Sequence, residues 1–218
     1  MTFWDWGFTW HILPSLLRGL LAATLVATVL GSALALVVGL LLSLGRRSKV
    51  PVLSQLCWAF IEFVRSTPLL VQLYLVFFVL PNYGIRLSSL TVGVLVLGLK
   101  YGSYDAEVYR AGIEAVPSGQ WEAARALSLP PRRVWQAVIL PQAIPRVLPA
   151  LGNYVISMFK DTPLLLTIGV VDLVGAARAA GTLEYRFVEP YTVAGLFFLA
   201  LSYPSSLLVR RLERRVAR

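Results

Sequence analysis

Lys160, Asp161 and Thr162 sit inside an otherwise apolar segment, residues 147–171. A cation beside an anion in such a setting can hold a polar solute or lock helices together. Adjacent helical residues point about 100° apart, so Lys160 and Asp161 are poorly placed to neutralise only each other, and partners across a pathway are expected. Pro163 cannot donate to the helix ladder and biases Thr162 away from helical geometry, which predicts an interruption beside the charges. Interrupted spans commonly offer backbone groups to a polar substrate. Gln72 and Asn153 are further pathway candidates, although Gln72 could equally satisfy a neighbouring helix. Glu62 and Arg65, three residues apart, read first as a structural ion pair near a cytoplasmic boundary and second as a solute contact.

Other chemistries find no support. His11 and Cys57 are unique, which excludes an internal disulfide and argues against a Cys/His metal site. Neither a nucleophile–base motif nor a ligand cluster suggests an enzyme. The sequence contains no GxxxxGK[ST] loop, so no cofactor is expected on this chain, and any ATP would be used by a partner.

The elements that must position these residues are membrane-spanning helices. The chain is 57% hydrophobic with a mean hydropathy of +0.72, and Leu20 to Leu44 carries no charge over 25 residues. About 20 apolar residues cross the hydrocarbon layer as a helix. Five spans are predicted, near 16–44, 66–83, 88–109, 147–171 and 190–210, in an all-α polytopic protein. The amino terminus lacks a basic leader and a small-residue cleavage site, so the first span is expected to be retained. Trp4, Trp6 and Trp10 suit an interface. Gly31, Ala35 and Gly39 offer a small-residue face for close helix contact. Of 20 Lys and Arg residues, 14 follow spans one, three and five, including Arg46, Arg47, Lys49, Arg65 and the series from Arg210 to Arg218. Only Arg18, Arg86, Arg178 and Arg186 fall opposite. The positive-inside rule then puts the amino terminus outside and the carboxyl terminus in the cytoplasm. The net charge of +9 is accounted for by topology, without a nucleic-acid partner.

The stretch from Gln120 to Ala143 interrupts this pattern with two short amphipathic helices. Ser118 can cap the first, Pro130 and Pro131 mark the break, and the second is expected to stop at Pro141. Spacing alone allows either an interfacial helix on lipid headgroups or a docking surface.

The run Glu122-Ala123-Ala124-Arg125-Ala126-Leu127-Ser128, ending in Val138-Ile139-Leu140-Pro141, resembles the EAA loop of bacterial ABC importer permeases. Ser128 stands where that pattern has glycine, so a positive φ there would be strained. EFVRSTPLLVQL (Glu62 to Leu73), YDAEVYRAGIEAVPSGQWEAA (Tyr104 to Ala124), LPQAIPRVLPALGNY (Leu140 to Tyr154) and KDTPLLLTIG (Lys160 to Gly169) are similar to successive motifs of the polar amino acid permeases. Both chain ends look most like the ectoine and hydroxyectoine branch.

The resemblance implies a type I ABC importer transmembrane domain filling residues 1–218, with a cytoplasmic coupling loop near residues 112–145. Glu122, Ala123, Ala124, Leu127 and Ser128 would engage the ATPase. The implied partners are a second permease, identical or homologous, two cytoplasmic ATPases, an extracytoplasmic solute-binding protein and the lipid of the inner membrane. The function implied is import of a polar amino acid or compatible solute. An ion-coupled secondary transporter, with Lys160 and Asp161 as ion-binding groups, is the competing reading.

Overall fold

The computed structural model describes residues 4–216, and every regular element among them is helical. Arg218 and the side chain of Arg215, both counted in the terminal basic set, lie outside the described residues. The first helix runs unbroken from Trp6 to Arg46, 41 residues, as α1 (Trp6–Gly19), a π turn (Leu20–Thr24) and α2 (Leu25–Arg46). Asp5 starts it by accepting from the Phe8 amide at 3.0 Å. At 1.5 Å per residue it is about 61 Å long, twice the hydrocarbon thickness, so α1 extends well past the expected start near residue 16. Its far end carries exposed Trp6 and Trp10.

The Gly31, Ala35 and Gly39 face packs as expected against α5 (Ser89–Glu114) and α8 (Leu140–Asp161). A Cβ on Gly39 would lie 2.6 Å from the Asp105 Cβ and 2.9 Å from the Gly102 carbonyl, and one on Gly31 would lie 2.8 Å from the Met158 sulfur. On α5, Gly98 and Gly102 receive Leu34 and Val38 in return. Close backbone approach of this kind is how membrane helices gain packing when lipid offers no hydrophobic drive.

The second span differs from expectation. A helix, α3 (Pro51–Ser66), precedes α4 (Leu69–Tyr74), which continues through π and 3-10 turns to Tyr83; the two halves meet at 107°. Pro68 has no amide proton and forces Thr67 to an extended ψ of 141°. Glu62 and Arg65 therefore lie about 16–21 Å along α3 from its start, at the bend.

Among the described residues two helices, Trp6–Arg46 and Val188–Arg214, are long and apolar enough to cross a membrane, and two bent pairs qualify if each counts as one span. One is α3 with Leu69–Tyr83, and the other joins Pro131–Ile168 to α9 (Leu173–Glu184) at 50°. At 26 residues, α5 is also long enough, but it carries Lys100 and Asp105, which are buried at 8% and 3% exposure.

In the elbow, α6 is Ser118–Ala126, and Pro117, not Ser118, holds its cap position with no side-chain bond to the first turn. The second helix does not stop at Pro141. From α7 (Pro131–Arg133) it passes through a π turn (Val134–Ile139) into α8, since the widened turn accommodates the proline's missing donor. At the far end of α8, Thr162 keeps a helical φ of −56° and ψ of −30°. The interruption at Pro163 is a tightening into a 3-10 helix, Thr162–Ile168, that ends at Gly169 with φ +85°. α10 (Val188–Val216) completes the chain. Arg186 clamps the outer ends together: it bonds Glu189, lies 3.4 Å from Asp5 Oδ2 and covers the Phe8 ring.

Candidate functional site

Three tyrosines from two helices face one another near the middle of the bundle. Tyr101 and Tyr104 of α5 and Tyr154 of α8 have ring centroids 5.4–6.1 Å apart, with Tyr104 stacked on Tyr154. The Tyr101 hydroxyl donates to Asp161 Oδ2 at 2.8 Å. Arg65 Cζ and Lys100 Nζ lie 5.6 and 5.4 Å from the Tyr104 ring centre, a separation at which cation and ring attract. Arg65 also meets Glu62 at 3.3 Å, with both side chains more than a third exposed. An anion, cations and aromatic faces thus converge where the α3–α4 bend meets α5 and α8. Such a set can recognise a zwitterion, the guanidinium taking a carboxylate while the carboxyl groups and ring faces take an ammonium.

Lys100 has a further task. Its ammonium donates to the carbonyls of Val64 at 2.9 Å, Arg65 at 3.2 Å and Thr67 at 2.8 Å. These are free carbonyls at the carboxyl end of α3, where a cation is favourable. Gln72 Nε2 supports the same bend, reaching Val64 O at 2.7 Å and Thr67 O at 3.3 Å. Gln72 is thereby satisfied by its neighbours and holds the bend.

The remaining pathway candidates part company. Asp161 joins the tyrosine cluster, while Lys160 points elsewhere and is exposed, without an ion pair among the described residues. Thr162 is fully buried and its hydroxyl is spent on the Phe159 carbonyl at 2.9 Å. Asn153 turns to α10, where its amide meets Glu213 at 3.3 Å. Lys100, Tyr101, Tyr104 and Tyr154 were not singled out by spacing, although the pairing of Lys100 and Tyr101 to Tyr104 within one uninterrupted span was a readable signal.

The enclosed space here, bordered by Ser32, Tyr101, Asp105, Tyr154 and Met158, is ≈ 10 Å³, about one water molecule. No solute-sized chamber closes at this cluster within one chain. Glu62, Arg65 and Asp161 are partly exposed beside the cluster.

The elbow forms a second site. Trp121 and Trp135 pack edge to face at 5.5 Å over Val116, Ile139 and Ala143. Ala124 is buried at 2% exposure, so it packs inward and holds the elbow together. Glu122, Ala123, Leu127 and Ser128 face outward, and Leu127 is 72% exposed. Ser128 adopts φ +50°, the strained conformation that its glycine-like position foreshadowed.

A family profile described as the inner membrane component of binding-protein-dependent transport systems matches residues 35–218. A Sinorhizobium fredii protein named for amino-acid ABC transport, y4tG, is 48% identical over 150 residues, covering 69% of this chain and 65% of that relative. The L-cystine transport system permease TcyL of Bacillus subtilis is 34% identical over 187 residues, covering 83% of this chain and 78% of that one. Among solved structures, a crystal structure of an amino acid ABC transporter with histidines superposes with a TM-score of 0.91 at 36% identity, covering 99% of this chain and 100% of that one. An inward-facing MetNI methionine transporter matches at 0.71 with 20% identity over 99% and 100%, a likeness of fold. The all-α architecture is that of type I ABC importer transmembrane domains.

Proposed function

The chain belongs to the family of binding-protein-dependent transport system inner membrane components, and we propose that it is the permease subunit of an importer for a polar amino acid. Residues 1–218 act as one permease domain that performs no bond chemistry and exposes the tyrosine cluster to each side of the membrane in turn. The observation that carries this reading is the outward apolar edge of the elbow. Leu127, at 72% exposure, stands beside Ala123 on a helix whose other face is anchored in the bundle. An exposed leucine next to a small residue is a knob with a shallow seat, suited to the groove of a cytoplasmic ATPase.

The partners proposed are two such ATPases, a second permease and an extracytoplasmic binding protein. The open site supports the second permease: Lys160, exposed near the far end of α8, is costly within a membrane unless it meets protein or water. Solute recognition is assigned to Arg65, Glu62, Asp161 and the tyrosine faces, with Lys160 contributed to the shared pathway. Ectoine and hydroxyectoine are the particular solutes that the two chain ends favour; the named relatives speak of amino acids and L-cystine. The amino terminus is placed outside and the carboxyl terminus in the cytoplasm.

The test is uptake into liposomes containing this chain with its genomic neighbours, with ATP inside or with imposed ion gradients alone. Leu127→Glu should insert normally yet lose ATPase copurification and ATP-driven uptake. Uptake by ion gradients without ATP would reverse the reading in favour of a secondary transporter. Within a working importer, Asp161→Asn and Arg65→Lys should raise the apparent Michaelis constant while assembly is kept.

A further inference from the structure

The carboxyl end of the first helix and the elbow enclose a groove that the transport reading does not use. It is ≈ 420 Å³ and is lined by Arg47, Trp121, Arg125 and Val134. Arg47 is the cap residue of α2, so the groove lies at the end of the longest apolar helix. The Arg47 guanidinium sits 5.7 Å over the Trp135 ring, and Trp135 is edge-on to Trp121. Neither Arg47 nor Arg125 has a carboxylate partner among the described residues. Two unpaired guanidinium groups beside an indole shelf at the end of an apolar helix match a phosphate attached to a lipid: the cations can take the phosphate and tryptophans suit the headgroup layer.

The groove is separate from the edge assigned to the ATPase. Trp121 and Arg125 are four residues apart and share one stripe of α6, as do Ala123 and Leu127. The two stripes are offset by two residues, about 200° around the helix, so they point in nearly opposite directions. Leu127 faces outward while Trp121 packs inward beside α2 and the π turn. An anionic partner in this groove would touch both the first spanning helix and the coupling helix.

We propose that this groove binds the phosphate of an anionic inner-leaflet phospholipid and thereby ties the orientation of α6 to the lipid surface. The occupant is a lipid because the basic pair stands at the end of a spanning helix and is shelved by interfacial aromatics; the negative inner surface supplies such headgroups. The proposal rests on the cytoplasmic placement of the elbow and not on the solute.

The experiment is native mass spectrometry of the full chain in detergent, titrated with phosphatidylglycerol, with phosphatidylethanolamine and with inorganic phosphate. Wild type should retain phosphatidylglycerol about tenfold more than phosphatidylethanolamine, in keeping with the attraction of each basic residue to an anionic surface. Arg47→Gln/Arg125→Gln should lose that preference, and Arg47→Lys/Arg125→Lys should keep part of it while showing that the fold tolerates change there. Millimolar inorganic phosphate should not displace the lipid. Undiminished preference in the glutamine variant would overturn the proposal, as would equal displacement by inorganic phosphate, which would mark a free-anion site. Because lipid is counted on the isolated chain, failure of transport in liposomes would not be mistaken for failure of this site.

Discussion

Replacing Lys100 by methionine isolates the bond set that holds the bend between α3 and α4. Methionine keeps most of the unbranched stem, so little cavity is made. The ammonium serves the carbonyls of Val64, Arg65 and Thr67, and Gln72 also serves those of Val64 and Thr67. In Lys100→Met only the Arg65 carbonyl loses its side-chain donor outright. One unpaired buried acceptor costs about 1–3 kcal/mol. Loss of a cation from a helix carboxyl end adds about 0.3–1 kcal/mol. Relief from burying an ammonium acts in the other direction. The expected net loss is about 1–3 kcal/mol. Gln72→Leu alone leaves Lys100 to cover its acceptors and should cost less. In the double variant the Arg65 and Thr67 carbonyls lose their side-chain donors and Val64 keeps only the longer bond from the Thr67 hydroxyl at 3.4 Å, so the loss should exceed the sum of the singles by about 1–2 kcal/mol. Reversible unfolding of the purified chain in mixed micelles with increasing dodecyl sulfate, followed by circular dichroism, measures all four proteins. A Lys100→Met variant within about 0.5 kcal/mol of wild type, or an additive cycle, would refute the shared-carbonyl account.

Three further outcomes are expected. Gly39→Ala should destabilise by about 1–3 kcal/mol in the same unfolding assay, because the new Cβ meets the Asp105 Cβ and the Gly102 backbone; Gly195→Ala, with nothing within 4 Å, should be neutral or slightly stabilising. Ser128→Gly should stabilise the elbow by about 1 kcal/mol, read as slower proteolysis between α6 and α7, since glycine adopts φ +50° without strain; unchanged cleavage would mean that the turn is not strained. In a Cys57→Ser background, a cysteine replacing Ser88 should react with an impermeant thiol reagent added outside and one replacing Ser118 should not; the reverse pattern would invert the proposed topology.

Much of the architecture was legible because it depends on one-dimensional signals. Uncharged runs marked the helices, Pro163 marked the end of α8, and the spacing of Gly31, Ala35 and Gly39 marked the α2 face that meets α5. The lapses have local causes. Pro141 reads as a stop, but a π turn just before it absorbs the missing donor. Lys49 and Arg65 frame a segment that reads as a connection between spans, which hid α3, an apolar helix whose polar end is folded into the bend. The site was half visible. Asp161, Glu62 and Arg65 stand out as charges in apolar surroundings, whereas tyrosines and a lysine on α5 become a cluster only when α8 is laid beside them. For Gln72, read as either a pathway group or a helix-satisfying one, and for Thr162, a pathway candidate, a sequence shows the polar side chain without showing the carbonyl that it meets.

The bend and the lysine that closes it also bear on the order of synthesis. α3 is 16 residues long, about 24 Å, too short to cross about 30 Å of hydrocarbon alone. Lys100 follows the carbonyls it serves by 33 to 36 residues. A nascent chain that has just released α3 and α4 therefore has a bent helix pair whose inner carbonyls have only Gln72 and the Thr67 hydroxyl as side-chain donors. Its closure waits until α5 emerges and delivers the ammonium. The bend between α3 and α4 is completed by a residue of α5, so the bent pair reaches its final bonding only after the helix that follows it has been made.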